Sequence, residues 1–387
     1  MDLTRRERLV RARQRRRVLL GMLVAAAVVG SVSAAGALLR ADDDPSVVAA
    51  RRATDAPTTT VPAPTTTLAP TTTTRGPLGS GAPVTFAFGG DVHFEGGLRS
   101  KLLANPDTVL APIAPVLSAA DVAVVNLETA ITERGTAQSK QYVFRAPAVA
   151  LQALAAAGVD TASVANNHGI DYGPEGLQDT LAAEQSTGFD LIGVGQNAGE
   201  AFAPHRMDVK GQRIAIIGAT QVIDGQFIGS WTATDAQAGL ASAKTVEPLL
   251  AAVAAARADS DTLVVFLHWG VEGQTCPSPD QQTLAQQLVD AGADIVVGGH
   301  AHRLQGAGRL GNAVVGYGLG NFVFYNEGGA AGVSGVLQVT ATGRQIDSYG
   351  WVPAQIGGGV AQPLDGASAE GALTAWNNLR ACTGLTP

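Results

Sequence analysis

Between residues 84 and 351 this chain alternates short apolar runs with stretches of helical character, and that alternation restricts the folds open to it. The runs fall at 85–88, 121–125, 159–165, 190–193, 213–218, 262–267 and 293–297, and helices are expected at 109–119, 147–157, 174–185, 246–257 and 281–291. A strand with no polar face is buried on both sides, and helices between such strands serve as crossovers. The pattern therefore predicts a largely parallel α/β sheet covered on both faces. Three further runs, 313–319, 335–340 and 346–351, are expected as antiparallel edge strands, and residues after Pro353 as a closing tail with one helix around 369–380. The hydrophobic content of 46%, the 47 glycines and the 15% of charged residues suit a chain with much buried sheet. At 387 residues there is room for one large or two average domains, and no internal repeat is visible.

The N-terminal region is built differently. Residues 1–17 hold eight arginines against Asp2 and Glu7, a net +6, so the rest of the chain carries −13 of the overall −7. Such an acidic remainder argues against nucleic acid as a partner. Residues 18–39 carry no charge; twenty or so apolar residues reach about 30 Å, the thickness of a bilayer core. Arginines before this segment and Asp42-Asp43-Asp44 after it predict a single-pass anchor in the cell membrane, N-terminus cytoplasmic and the remainder extracellular. A cleavable signal peptide ending at Ala35-Gly36-Ala37 is the alternative, although the apolar run is long for one. Residues 40–83 form a Pro/Thr-rich linker, expected to be extended and to lack a core. Cys276 and Cys382 suit an exported domain, where one long-range disulfide or two unpaired thiols are both open.

Polar residues fall where the strands stop. Asp91 and His93, Glu128, Asn167 and His168, His268, and finally His300 and His302 each sit just past the C-terminal end of an expected strand. Ligands of open α/β sheets bind at that edge. Five of the six histidines lie there, His205 being the exception. The Gly298-Gly299-His300-Ala301-His302 turn is read as extended, so that both imidazoles, at i and i+2, face one point; Asp91 and His93 share a face for the same reason. Imidazole, carboxylate and amide oxygen together suit divalent transition metals, and a carboxylate such as Glu128 can bridge two of them. Taken singly, Asp91 could cap a helix, Glu128 could pair with Arg145, and Asn167 could shape a turn.

The ordered motifs resemble those of the calcineurin-like metallophosphoesterase superfamily, and their local wording is similar to its CapA-type capsule (poly-γ-glutamate) synthesis branch. The carriers are Gly90-Asp91, Asn126-Leu127-Glu128, Phe144-Arg145-Ala146-Pro147, Ala165-Asn166-Asn167-His168, His268-Trp269-Gly270-Val271-Glu272, Gly299-His300-Ala301-His302 and Leu319-Gly320-Asn321-Phe322. The resemblance spans residues 84–353 and implies a four-layer α/β/β/α sandwich, with 354–387 as a tail. It implies two divalent ions (Mn, Fe or Zn), one held by Asp91, His93 and His302, the other by Asn167, His268 and His300, with Glu128 between them. His168 would be the general acid, and Arg145 and Glu272 would face the substrate. Glu128 stands where the superfamily usually has Asp, as in the CapA branch, whereas His93 restores an Asp-x-His that many CapA-type proteins lack. The expectation is a membrane-anchored metal-dependent hydrolase of surface-polymer biosynthesis, acting on a phosphoester or a polymer amide. The alternative is a non-catalytic accessory protein that binds or exports an anionic polymer alongside the assembly machinery.

Overall fold

The computed structural model describes residue 79 and residues 81–387; the basic segment 1–17, the apolar segment 18–39 and nearly all of the linker lie outside the described residues. Among the described residues no helix is long and apolar enough to cross a membrane.

The chain enters on β1 (Val84–Val92), runs through α1 (Gly97–Ala104) and α2 (Ala114–Ser118), and returns on β2 (Val122–Leu127). Next come α3 (Val149–Ala156), β3 (Thr161–Ser163), α4 (Gly173–Thr187) and β4 (Asp190–Ile192). A second sheet takes up β5 (His205–Val209), β6 (Gln212–Thr220), α5 (Glu247–Arg257), β7 (Thr262–His268), α6 (Pro279–Ala291), β8 (Ile295–Gly299), β9 (Ala307–Leu310) and β10 (Ala313–Gly316). The chain then rejoins the first sheet through β11 (Asn321–Val323), β12 (Val333–Thr342), β13 (Gln345–Gly357) and β14 (Val360–Pro363), and closes with α7 (Gly366–Asn378). The eight-stranded sheet has the order β11-β14-β13-β12-β1-β2-β3-β4, and the six-stranded one β9-β10-β8-β7-β6-β5.

Side-chain alternation shows how the two sheets meet. Val84, Phe86 and Phe88 of β1 and Val122 and Val124 of β2 share one core with Ile214 and Ile216 of β6, Val264 and Phe266 of β7, and Ile295 and Val297 of β8. The intervening residues face away. Ala87, Ala123, Val125 and Leu127 pack under α1 to α4, and Ala215, Ile217, Leu263, Val265 and Val296 pack under α5 and α6. Period-two strands with both faces buried thus build helix, sheet, sheet, helix in four layers.

Register is fixed at the N-terminal ends of the parallel strands by a repeated device. Asp121, Asp160, Asp261 and Asp294 each precede a strand and accept, through a carboxylate oxygen, the backbone N–H of a residue in the preceding strand. The donors are Thr85 (2.9 Å), Ala123 (2.9 Å), Arg213 (2.6 Å) and Leu263 (2.9 Å), respectively. In every case the aspartate's own N–H donates to the carbonyl of the same residue. This latch closes the edge opposite the polar strand ends.

Several expectations are corrected. The single sheet covered on both faces is two sheets, each covered by helices on one face. β10 pairs parallel with β8 rather than antiparallel at an edge, and β12 and β13 lie inside the first sheet. The helix expected over 109–119 is reduced to α2, because Pro112 and Pro115 cannot donate to an interior turn and Pro115 fits only near the helix start. α1 escapes the sequence because only Leu98 and Leu102 are buried, one i, i+4 pair. The boundary expected at Pro353 falls within β13. Beyond it β14 pairs with β13, and α7 stacks Trp376 on Trp351 at 5.3 Å. Cys276 and Cys382 form a disulfide that joins the loop after β7 to the residues after α7.

Candidate metal centre

The polar strand ends converge where the C-terminal edges of the two sheets meet. From the first sheet come Asp91, Glu128 and the 166–168 turn; from the second come His268, the last residue of β7, and the turn after β8. Adjacent registers align them: Asp91 lies beside Asn126, and His268 beside Gly299. Asp91 reaches the inter-sheet side only because β1 slips by one residue at Gly89-Gly90 relative to β2. Without that bulge the alternation set by Phe86 and Phe88 would turn it toward the helices.

Two three-residue groups have potential ligand atoms all within 4.8 Å of one another: Asp91, Glu128 and His302, and Glu128, His268 and His300. Glu128 belongs to both. Its side chain is fully buried, and neither carboxylate oxygen has a hydrogen-bond partner among the described residues; His300 Nδ1 is likewise unpartnered. Three imidazole nitrogens surround Glu128 Oε1: His268 Nε2 at 3.5 Å, His302 Nε2 at 3.8 Å and His168 Nε2 at 3.9 Å. Asp91 is fixed instead, accepting from Asn126 Nδ2 at 2.9 Å and from the His300 N–H at 3.1 Å.

The electrostatics favour a cation here. Burial, reinforced by the Asp91 charge, pushes the Glu128 carboxyl well above its usual range. Burial and neighbouring imidazoles hold His300 down to about 3 and His268 well below its ordinary value. Burial would also lower His302, but the charges of Glu128 and Asp91 outweigh it and raise this ring to about 10. A buried carboxylate with no donor is costly unless a positive charge compensates it, and the neutral imidazoles of His268 and His300 have lone pairs to offer. The residues fit a divalent metal site, with Glu128 as the shared ligand.

The His300-Ala301-His302 turn is not extended as expected. His300 has φ 91° and His302 φ 50°, a left-handed conformation that costs non-glycine residues about 1–3 kcal/mol. The twist sends the imidazoles to different groups, with ring centroids 6.1 Å apart. Gly299 lets Asp91 approach the turn: a Cβ there would lie 2.2 Å from Asp91 Oδ1.

The other expected residues fall at varying positions. Asn167 Oδ1 lies 2.7 Å from His268 Nε2, at the edge of the second group. His93 is brought into neither group; its Nδ1 accepts the Glu95 N–H at 3.0 Å. Arg145 stacks its guanidinium over Tyr172 at 4.6 Å and pairs with no carboxylate, Glu128 included, among the described residues. Glu272 is exposed, and its charge is felt at Glu128 and His302. Two residues escaped the sequence reading. Asp171 Oδ2 lies 2.5 Å from His168 Nδ1, and its other oxygen accepts Lys140 Nζ at 2.8 Å. Lys140, almost fully buried, also donates to the Asn167 carbonyl. Asp171 was detectable three residues after His168; nothing in the sequence ties Lys140, 28 residues upstream, to that histidine.

Comparison with known proteins adds the following. The family profile described as "Bacterial capsule synthesis protein PGA_cap" matches residues 85–326. The "Capsule biosynthesis protein CapA" of Bacillus anthracis is 32% identical over 252 residues, 62% of this chain and 60% of that protein. The "PGA biosynthesis protein CapA" of Bacillus subtilis is 31% identical over 56% of this chain and 57% of its own length. A "Probable polyglutamine synthesis accessory protein" of Mycobacterium tuberculosis is 30% identical over 54% and 57%, respectively. The match thus spans about three fifths of these relatives' length.

Proposed function

From the premise that this chain belongs to the bacterial capsule synthesis protein PGA_cap family, we propose that it is a metal-dependent hydrolase of surface-polymer synthesis, acting on a phosphoester or on an amide bond of an anionic polymer such as poly-γ-glutamate. The observation that carries this reading is Glu128, a buried carboxylate with both oxygens unpartnered, common to two groups of potential ligands.

In this reading Asp91, Glu128 and His302 hold one divalent ion, and Glu128, His268, His300 and Asn167 a second. Bound there, divalent ions supply a water acidified toward neutrality and polarise the oxygen of the scissile group. The chain's own residues supply the rest. Asp171 engages His168 Nδ1 and leaves Nε2, 3.9 Å from Glu128 Oε1, as the atom that takes and returns a proton at the leaving group. Lys140 ties Asp171 to the Asn167 carbonyl, so the proton carrier and a ligand are held by one side chain. Arg145, its guanidinium free of carboxylates, is suited to grip a substrate anion in bidentate fashion. Residues 18–39 would anchor the protein in the cell membrane with the folded part outside; the Cys276–Cys382 bond supports an oxidising compartment.

The test is metal content of the full chain together with turnover of a phosphodiester, a phosphomonoester and a γ-glutamyl amide. The reading expects metal that is lost in Glu128→Gln, and turnover of at least one substrate. A chain that retains metal but turns over none, with polymer binding intact, supports a second reading. That reading is a non-catalytic accessory protein for polymer assembly or export, which the description of the mycobacterial relative as an accessory protein favours. A chain without metal overturns the hydrolase.

A further inference from the structure

We infer that His93 is a positioning residue rather than a metal ligand: it supports the aromatic wall beside His168 and the turn that carries Arg145. The inference rests on the metal-centre reading above and gives His93 another role than the ligation implied by the family resemblance.

His93 sits two residues after Asp91, and in an extended strand the two would share a face. The strand does not continue that far. β1 ends at Val92, and its pairing with β11 slips between Asp91 and Val92, where one step of β1 opposes two of β11. The extra residue lies in β11, and His93, just past the end of β1, makes contacts of its own. Its Nδ1 accepts the Glu95 N–H at 3.0 Å, and its Nε2 faces the Tyr325 N–H at 3.5 Å. Both neighbours are backbone donors, which cannot be reversed as the side-chain amide beside His268 Nδ1 can. The ring is fully buried among aromatics, with Phe144 stacked on it at 4.7 Å, Phe324 edge-on at 4.1 Å and Tyr325 at 4.5 Å.

Two routes lead from this ring to the proton carrier. The first is a stack: Phe144, against His93 on one side, lies 4.1 Å from the His168 ring at an interplanar angle of 26°. The second is a hydrogen-bond path. Glu95, whose N–H is held by His93, accepts the Arg145 N–H on its Oε1 at 2.8 Å. The adjoining Phe144 N–H donates to Asp171 Oδ2 at 2.7 Å, the same oxygen that meets His168 Nδ1. His93 therefore fixes the 144–145 backbone, and that backbone fixes Asp171 and the face of His168. With Nδ1 accepting the Glu95 N–H, Nε2 carries the ring's proton and has no lone pair for a metal; a ligand would have to give up that bond and leave the stack.

The experiment strips the full chain with a chelator, reloads it with Mn(II) alone and counts ions per chain by mass spectrometry. The variants are His93→Phe, His93→Gln and Glu128→Gln. Both His93 variants should match the parent's ion count, whereas Glu128→Gln should lose Mn(II). In the metal-free protein the imidazole resonances of His168 should move in His93→Gln and move less in His93→Phe, which keeps the ring. A folded His93 variant with one ion fewer overturns the inference. Unmoved His168 resonances in His93→Gln overturn the positioning role. If His93→Phe does not fold, His93→Gln carries the same count. Loss confined to the His93 variants leaves the metal centre standing, whereas a parent that binds no Mn(II) overturns the centre and the inference together.

Discussion

At the scale of single residues, the centre depends on polar groups that the fold buries without giving them ordinary partners. Glu128 is the extreme case, and the left-handed backbone at His300 and His302 is the conformational counterpart. His168 differs from the candidate ligands because it belongs to neither group of potential ligand atoms, and its Nδ1 is engaged by the Asp171 carboxylate. Its removal should therefore spare the metal and slow the reaction. We predict that His168→Ala keeps the parent's metal content and lowers turnover by about 10²–10⁴-fold, checked by metal analysis and kinetics on the same preparation. Each member of the centre except Asp171 and Lys140 could be picked out in the sequence, since a polar residue directly after an apolar run is conspicuous. The direction of each side chain could not. His93 and Asp91 look equivalent by spacing, yet only Asp91 joins a group of potential ligands, while His93 stacks among Phe144, Phe324 and Tyr325.

At the scale of elements, the parallel strands carry chemistry at one end and an aspartate latch at the other. Asp121 and Asp261 illustrate the energetics. Burial alone would raise both carboxyls, but hydrogen bonds from Lys210 and Thr85 to Asp121, and from Arg213 and Gly79 to Asp261, hold them below the usual range. A carboxyl whose folded pKa is depressed stabilises the protein above its unfolded value, about 4, and loses that contribution as pH falls through the folded value. Unfolding followed from pH 6 to pH 2 should therefore lose less stability in Asp261→Asn than in the parent. A parallel offset across the whole range would exclude the linkage. Asp160→Ala, which strands the Ala123 N–H inside the sheet, should cost about 1–3 kcal/mol in denaturant unfolding.

At the scale of the whole molecule, the C-terminal residues are part of the fold. β14 is a strand of the first sheet, α7 stacks on its neighbour β13, and the disulfide ties the residues after α7 to the loop that bears Glu272. Cys276→Ser/Cys382→Ser should lower stability by about 2–5 kcal/mol in chemical unfolding, because the bond closes a loop of 106 residues. Ending the chain at Pro353 cuts β13 and removes all of β14 and α7, so the shortened protein should fail to give a cooperative thermal transition.

The sequence by itself determined the class of fold, the location of most elements and the strand ends that carry the polar residues. Those properties are local: an apolar run, a proline or a histidine after a strand is visible where it stands. The apolar runs alone did not decide that there are two sheets; the tertiary structure has them, in the four layers that the family resemblance implied. A strand buried on both faces presents the same run of Val, Ile and Phe whether a helix or a second sheet covers it. The same holds for the centre. His300 and His302 are neighbours in sequence yet belong to separate groups, and Glu128 joins those groups because β1, β2, β7 and β8 end at one place. Which residues meet at a sheet edge depends on register and bulges. These arise from the packing of distant segments and are not carried by any one of them.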